Sequence, residues 1–342
     1  MNFFRKQIVI IIVLFAITCL ANASDSTKVY SARIEGTIRG KYEYFTEVNE
    51  HRFQVRNARF SLKGNVSPYA SYKAEIDLSD EGKTKMLDAY VMLQPKKWWS
   101  FTIGQQKVPF STDNLRSPHN LYFANRSFMG KQLTNLRDVG ISANFLNEKK
   151  LPVDLTIGIY NGLGLYTQDK TMTLNELSYA ARLIVFPKNP LKISLNANTI
   201  QPSNIRMTFY NAGLMYDLGN FHIESEYLYK TYSENSLLDT KTTTGYVIFS
   251  AYKINTPKLK IVKNISPVLR YEGMTRNLKY DIQNSNSIAT KIDEARNRVT
   301  GGLIISLAKP FINDIRLNYE RYFWKDGTNA DSKFVAEFVV HF

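Results

Sequence analysis

From residue 29 to residue 45 the chain reads VYSARIEGTIRGKYEYF. Tyr30, Ala32, Ile34, Gly36, Ile38, Gly40, Tyr42 and Tyr44 alternate there with Ser31, Arg33, Glu35, Thr37, Arg39, Lys41 and Glu43. Successive side chains of a strand point to opposite faces, so this stretch predicts one long strand with an apolar face and a charged face. Strands of soluble sandwiches and propellers run to about five or six residues and bury large aliphatics. A strand of this length, with Gly, Ala, Ile and Tyr on its apolar face, instead suits a bilayer, which roughly 9 to 11 tilted residues cross.

Working outward, similar runs occur near 56–64, 72–78, 87–94, 101–108, 138–145, 153–160, 177–185, 192–198, 210–217, 222–230, 245–252, 267–274, 299–307, 315–323 and 334–342. With the first they predict an all-β, antiparallel up-and-down transmembrane barrel of about 16 strands. Membrane barrels alternate short periplasmic turns with longer external loops. The connections 65–71, 95–100, 186–191, 218–221 and 308–314 are brief, whereas 111–137, 161–176, 231–244 and 275–298 are long or polar. The connection 253–266 is long for its place in that pattern. Tyr42 and Tyr44, Tyr227 and Tyr229, and Tyr319 with Tyr322, Phe323 and Trp324 are expected in an interfacial aromatic girdle, and Trp98 and Trp99 at a periplasmic turn.

At the start of the chain, Arg5 and Lys6 precede an uncharged run over 8–20, and Ala21-Asn22-Ala23 supplies small residues at a peptidase site. The run is too short for a membrane helix, which needs roughly 20 residues, so residues 1–23 are expected to be a cleaved export leader and 24–342 a single barrel domain. Cys19, the one cysteine, falls inside the leader. A lipoprotein signal is the competing reading, disfavoured by the bulk of Thr18. The mature chain then has no disulfide or thiolate metal site. Losing the two leader cations takes the net charge from +14 to +12, which favours anions of some kind.

The chain ends FVAEFVVHF, with Phe334, Ala336, Phe338, Val340 and Phe342 on one face. This resembles the signal read by the barrel-assembly machinery, with Phe342 as its terminal aromatic. Further strings, RNARFSLKG from Arg56, IGQQKVPFS from Ile103, NRSF from Asn125, RDVGI from Arg137, IYNGLG from Ile159 and ARLIVFP from Ala181, resemble in order and spacing the phosphate-selective porins O and P. The resemblance covers essentially the whole mature chain. It implies a sixteen-stranded porin of the bacterial outer membrane, commonly a homotrimer, in contact with outer-membrane lipid and lipopolysaccharide. It also implies that the third external loop folds inward to narrow a water-filled channel.

That loop, 111–137, is the longest connection. Arg116, Arg126 and Lys131 within it, and Lys107 and Arg137 at the flanking strand ends, supply five cations against Asp113. In a partly desolvated constriction such a set favours anions, and arginine matches phosphate oxygens with two parallel donors. Contacts with lipopolysaccharide or neighbouring loops are the alternative use of these charges. On the first strands Arg33, Arg39, Lys41, Arg59, Lys63 and Lys73 are expected on the lumen wall, but so are Glu35, Glu43, Glu75, Asp77 and Asp88. The wall is mixed, so a general porin for small anions or polar solutes stands beside a phosphate-specific one, and a surface receptor or scaffold with an occluded lumen beside both. The four histidines, His51, His119, His222 and His341, form no recognisable catalytic set; the rival class, a barrel lipase or protease, has no nucleophile with a base and an orienting group. No cofactor, metal or nucleic-acid motif is present, and the basic residues are spread through alternating strands.

Overall fold

The computed structural model describes residues 31–80, 82–134, 137–149, 151–162, 164, 177–201, 206–233, 241–284, 287–308, 313–325 and 332–342. The leader read at 1–23 lies outside them. Among the described residues sixteen long strands follow one another: Arg33–Phe45, Glu50–Ser67, Ala70–Asp80, Lys83–Lys96, Trp99–Lys107, Arg137–Asn147, Val153–Tyr160, Ser178–Val185, Leu191–Ile200, Met207–Leu218, Phe221–Tyr232, Thr242–Tyr252, Val262–Met274, Arg296–Leu307, Asn313–Trp324 and Lys333–His341. Each pairs antiparallel with the one before, and the last pairs with the first, from Thr37 opposite His341 to Phe45 opposite Lys333. Closure leaves no strand edge, which is what allows a sheet to cross lipid.

Burial is inside out. Ile34 is 67% exposed and Phe53 84%, while Arg39 is 3% and Glu43 1% exposed. The charged set of the first strand faces the lumen, and the apolar set faces outward to where hydrocarbon lies. Tyr227, Tyr229, Tyr319 and Phe323 are likewise exposed. The girdle reading fails at Tyr322 and Trp324, whose side chains line the lumen; both share the parity of the inward Glu320, which four neighbouring aromatics on one strand cannot all escape.

Two connections depart from the sequence reading. The anomalous 253–266 contracts because its second strand begins at Val262 and a two-residue extension, Ile254–Asn255, pairs with Ile265 and Asn264. Pro267 sits within the strand and not at its start, at a gap in the ladder between the pairs Ile254–Ile265 and Ala251–Val268, a break of the kind where a missing N–H is tolerated. The loop at 275–298 contains its own hairpin, Asn277–Asn284 with Ser287–Asp293. Asn and Ser are frequent in that segment, and the loop reading followed them.

The third external loop turns into the barrel. Its Phe110, Phe123, Phe128, Met129 and Leu133 join Phe209, Leu228, Val247, Phe249 and Val268 of the facing wall in one buried apolar cluster. That contact explains why alternation weakens near 245–252: inward Val247, Phe249 and Ala251 serve the loop, while outward Ile248 serves the lipid face. At about 1.5–3 kcal/mol for each fully buried side chain, the five loop residues contribute on the order of 10 kcal/mol. The loop is a fixed partition.

The barrel closes over Gly36. Its N–H donates to the Phe342 carbonyl at 2.8 Å and its carbonyl accepts from the Phe342 N–H at 3.1 Å. A Cβ at Gly36 would lie 2.2 Å from the Phe342 ring, so only glycine leaves room for that ring on the outer surface. Gly36→Val is therefore expected to expel the ring and weaken the seam, lowering the temperature at which heat-modifiable mobility is lost in denaturing gels; an unchanged transition would remove this packing from the account.

Candidate functional site: the constriction and its vestibules

Four arginines, each from a different strand, hold the loop by its backbone while pairing with wall carboxylates. Arg39 donates to the Ala124 carbonyl at 2.7 Å and to Glu337 at 2.8 Å. Arg316 donates to the carbonyls of Pro118 and His119 at 3.2 and 2.8 Å and to Glu337 at 2.8 Å. Arg270 reaches the Asn125 carbonyl at 3.0 Å and Glu272 at 2.9 Å. Arg298 reaches the Arg126 carbonyl at 2.8 Å, Glu272 at 2.6 Å and Glu320 at 3.2 Å. The wall answers with acceptors: Glu226 takes the Asp113 N–H at 2.7 Å and Glu272 the Phe128 N–H at 2.5 Å. All four arginines are buried, and a guanidinium fork bonds a carbonyl and a carboxylate together in a way one ammonium cannot.

With the loop seated on that side, open space remains on both sides of it. A cavity of about 560 Å³ is lined by the first six strands and the loop's Leu115, Ser117, Pro118 and His119; Arg59, Lys63, Lys73, Lys107 and Arg137 supply its cations and Glu35, Glu75 and Asp88 its acids. A second, of about 340 Å³, opens at the external end. Its cations are Arg39, Lys41, Arg52, Arg56, Arg126, Lys131, Arg296, Arg298 and Lys333, and its lining acids among the described residues are Glu43 and Asp293. Arg52 and Arg56 were missed by sequence reading. The register slips where Arg39 faces Asn57 and Gly40 faces Val55, so Arg56 is an extra, bulged residue that reverses inward parity beyond it.

The five cations expected at the constriction divide between these spaces. Lys107 and Arg137 line the larger, and Arg126 and Lys131 the smaller. Arg116 lines neither: it is ion-paired with Glu224 and packs over Tyr122 and Phe249, 5.3 and 5.6 Å from the ring centres. Of the expected wall cations, Arg59, Lys63 and Lys73 face the larger cavity, Arg39 clamps the loop, and Arg33 is exposed at the rim beside Glu35.

What holds each charge decides its field. Arg137 pairs with Asp88 at 2.8 Å, Lys73 with Asp88 at 2.6 Å and Glu75 at 2.7 Å, and Arg59 with Asp77 at 2.9 Å. Lys107 instead donates to three loop carbonyls, those of Asn114, Leu115 and Arg116, at 3.2, 2.8 and 3.2 Å. Arg126 donates to the carbonyls of Asp113 and Arg116. Among the described residues neither forms an ion pair. Carbonyls satisfy N–H groups without placing an opposite unit charge in contact with them.

Burial, and then repulsion from Arg39, Arg59 and Arg116, lowers the Arg126 guanidinium to about 10 against the attraction of Asp113; it stays charged at neutral pH. Burial works to raise Asp113, but Arg126 and Arg116 hold its carboxyl below the ordinary value. His119 stacks on His341 with ring centres 3.7 Å apart. Burial, and then the neighbouring His341 and Arg316, lower it from 6.5 to about 4. The unfolded chain thus binds more protons below about 6.5, so this group's contribution to stability falls as pH drops from there towards 4 and is constant above. Ion selectivity should accordingly gain nothing from His119 between pH 6 and 8, and His119→Gln should leave the reversal potential unchanged there; a shift would show that the ring carries charge. Among the described residues no His, Cys, Asp or Glu cluster suits a metal.

A closed sixteen-stranded barrel, apolar outside and charged within, with an inward loop between two basic vestibules, is the architecture of an outer-membrane channel. The sequence matches the family Phosphate-selective porin O and P over residues 32–206, more than half of its length. The chain belongs to that family, and it is a porin of the bacterial outer membrane. Comparison with curated proteins returns no match. Solved structures share the fold at low identity. An anion-selective porin from Comamonas acidovorans superposes with a TM-score of 0.62 at 11% identity, over 91% of this chain and 99% of that one. OmpT of Vibrio cholerae with loop L8 deleted gives 0.62 at 12%, over 92% and 100%. Salmonella typhi OmpF, in complex with daunomycin, gives 0.58 at 11%, over 92% and 98%.

Proposed function

We propose that the barrel is a passive channel that favours small anions, with phosphate among them. The observation that carries this reading is Arg126, bonded to loop carbonyls and not to carboxylates in a vestibule lined by nine cations and two acids among the described residues, with Lys107 beside it on the loop's other face. Arg137 and Lys131 extend the bias into the two vestibules, with Arg59, Lys63 and Lys73 along the wall, while Arg116 fixes the loop to Glu224. The trimeric form of Vibrio cholerae OmpT supports a homotrimer here, and exposed Phe342 on the outer seam suits recognition by the barrel-assembly machinery. The apolar packing that fills one side of the lumen favours a second reading, an occluded receptor or scaffold. Reversal potentials in gradients of chloride, phosphate and a bulky organic anion separate these. An anion-side reversal with falling current for the bulky anion supports the channel; cation preference overturns the anion assignment.

A further inference from the structure

Half of the chain's net positive charge lies at one rim. The seven connections opposite the inward loop, 68–69, 97–98, 148–152, 186–190, 219–220, 253–261 and 308–312, hold eight lysines, no arginine and one acid, Glu148. This is a net +7 of the chain's +14. The connections at the other end, apart from the inward loop, carry seven basic residues against eleven acidic ones. The asymmetry runs along the barrel axis.

Where the rim lysines are described, Lys96, Lys97, Lys149, Lys188, Lys253, Lys258, Lys260 and Lys263 are all exposed. None lines any of the cavities in the lumen. Interleaved with them are exposed apolar side chains: Trp98, Leu151, Leu218, Ile254, Leu259 and Ile261. Apolar groups beside long, flexible ammonium stems fit a boundary where hydrocarbon ends and phosphate begins. The hairpin that carries Ile254–Asn255 and its return strand prolongs that pattern past the neighbouring turns, with four lysines and no acid.

We propose that this rim binds the headgroups of anionic phospholipids in the periplasmic leaflet, setting the barrel's depth and direction in the membrane. The inference goes beyond the channel reading and does not use the constriction residues. The lipid phosphates supply the negative surface, and each lysine close to it adds attraction that salt screens.

Trp98 and Trp99, stacked 5.7 Å apart at this rim, are reporters already in place, and Trp324 lies in the external vestibule away from lipid. The full mature protein is reconstituted in phosphatidylcholine vesicles containing brominated phosphatidylglycerol or brominated phosphatidylcholine, and tryptophan quenching is measured. The expected result is stronger quenching by the anionic lipid, by about fivefold in relative association for each lysine close to the surface, falling towards parity in high salt. K96S/K97S should lose most of that preference while heat-modifiable mobility and reversal potential stay as in the parent. Equal quenching by both lipids, or a preference that survives K96S/K97S, overturns the proposal. So does a K96S/K97S variant that keeps its lipid preference but changes ion selectivity, which would assign the lysines to the channel. Loss of current in the parent would refute the channel reading and leave the lipid result standing.

Discussion

Arg316→Ala is expected to raise single-channel conductance and make the open current noisy. Arg316 is fully buried, as is its partner Glu337, and it fixes two successive loop carbonyls, those of Pro118 and His119. Removing one partner of a buried ion pair costs about 3–5 kcal/mol because the other charge stays behind; here Arg39 still reaches Glu337 at 2.8 Å, so the lower end of that range applies. The apolar cluster keeps the loop inside the barrel and Arg39 still holds Ala124, but the turn at 118–120 loses its anchor beside the larger cavity. Arg316→Lys should fall between, since an ammonium retains the charge but not the fork. Thermal loss of heat-modifiable mobility gives the stability arm. A variant with parental conductance, noise and melting would show that the clamp does not hold the loop.

Charge reversal at Arg126 and Lys131 should have the largest effect on selectivity. At an effective dielectric of about 20, a unit charge about 8 Å from a passing ion contributes roughly 2 kcal/mol. The double change to glutamate alters the local charge by four units, enough to turn anion preference into cation preference in the reversal potential. Arg126→Gln removes one charge at similar volume and should reduce the preference without reversing it. Lys73 offers the contrast to Arg126: Lys73→Gln leaves Glu75 and Asp88 with Arg59 and Arg137 near them, and should shift the potential less. If the double variant keeps the parental potential, these residues have no part in selection.

Strand number, order and facing were legible because period-two alternation is local, and most strands present one face to lipid. Legibility failed where a face served something other than lipid or water. Val247 and Phe249 point inward onto the loop, so their strand reads as a continuous apolar run. The bulge at Arg56 has no mark in the residue pattern, and it alone brings Arg52 and Arg56 into the external vestibule. The inward charges Arg270 and Glu272, Arg296 and Arg298, and Arg316 and Glu320 did stand two or four apart on polar faces, a visible signal of the lumen side. What the spacing did not carry was their second partner, the loop backbone, because a carbonyl acceptor is common to every residue type. Arg116 shows the converse: loop position and charge suggested the pore, but Glu224, from a strand more than a hundred residues on, claims it.

The central claim, a wet lumen bounded by lipid and narrowed by one seated loop, is most directly tested by attaching a charged, bulky thiol reagent to single cysteines placed in residues 24–342, which have no cysteine of their own. With Lys73→Cys, on the wall of the larger cavity, the reagent should step a steady single-channel current down. With Ile38→Cys, on the outer face two strands away, the same reagent should leave the current untouched. No steady current before labelling, or block at position 38 and none at 73, would contradict the account.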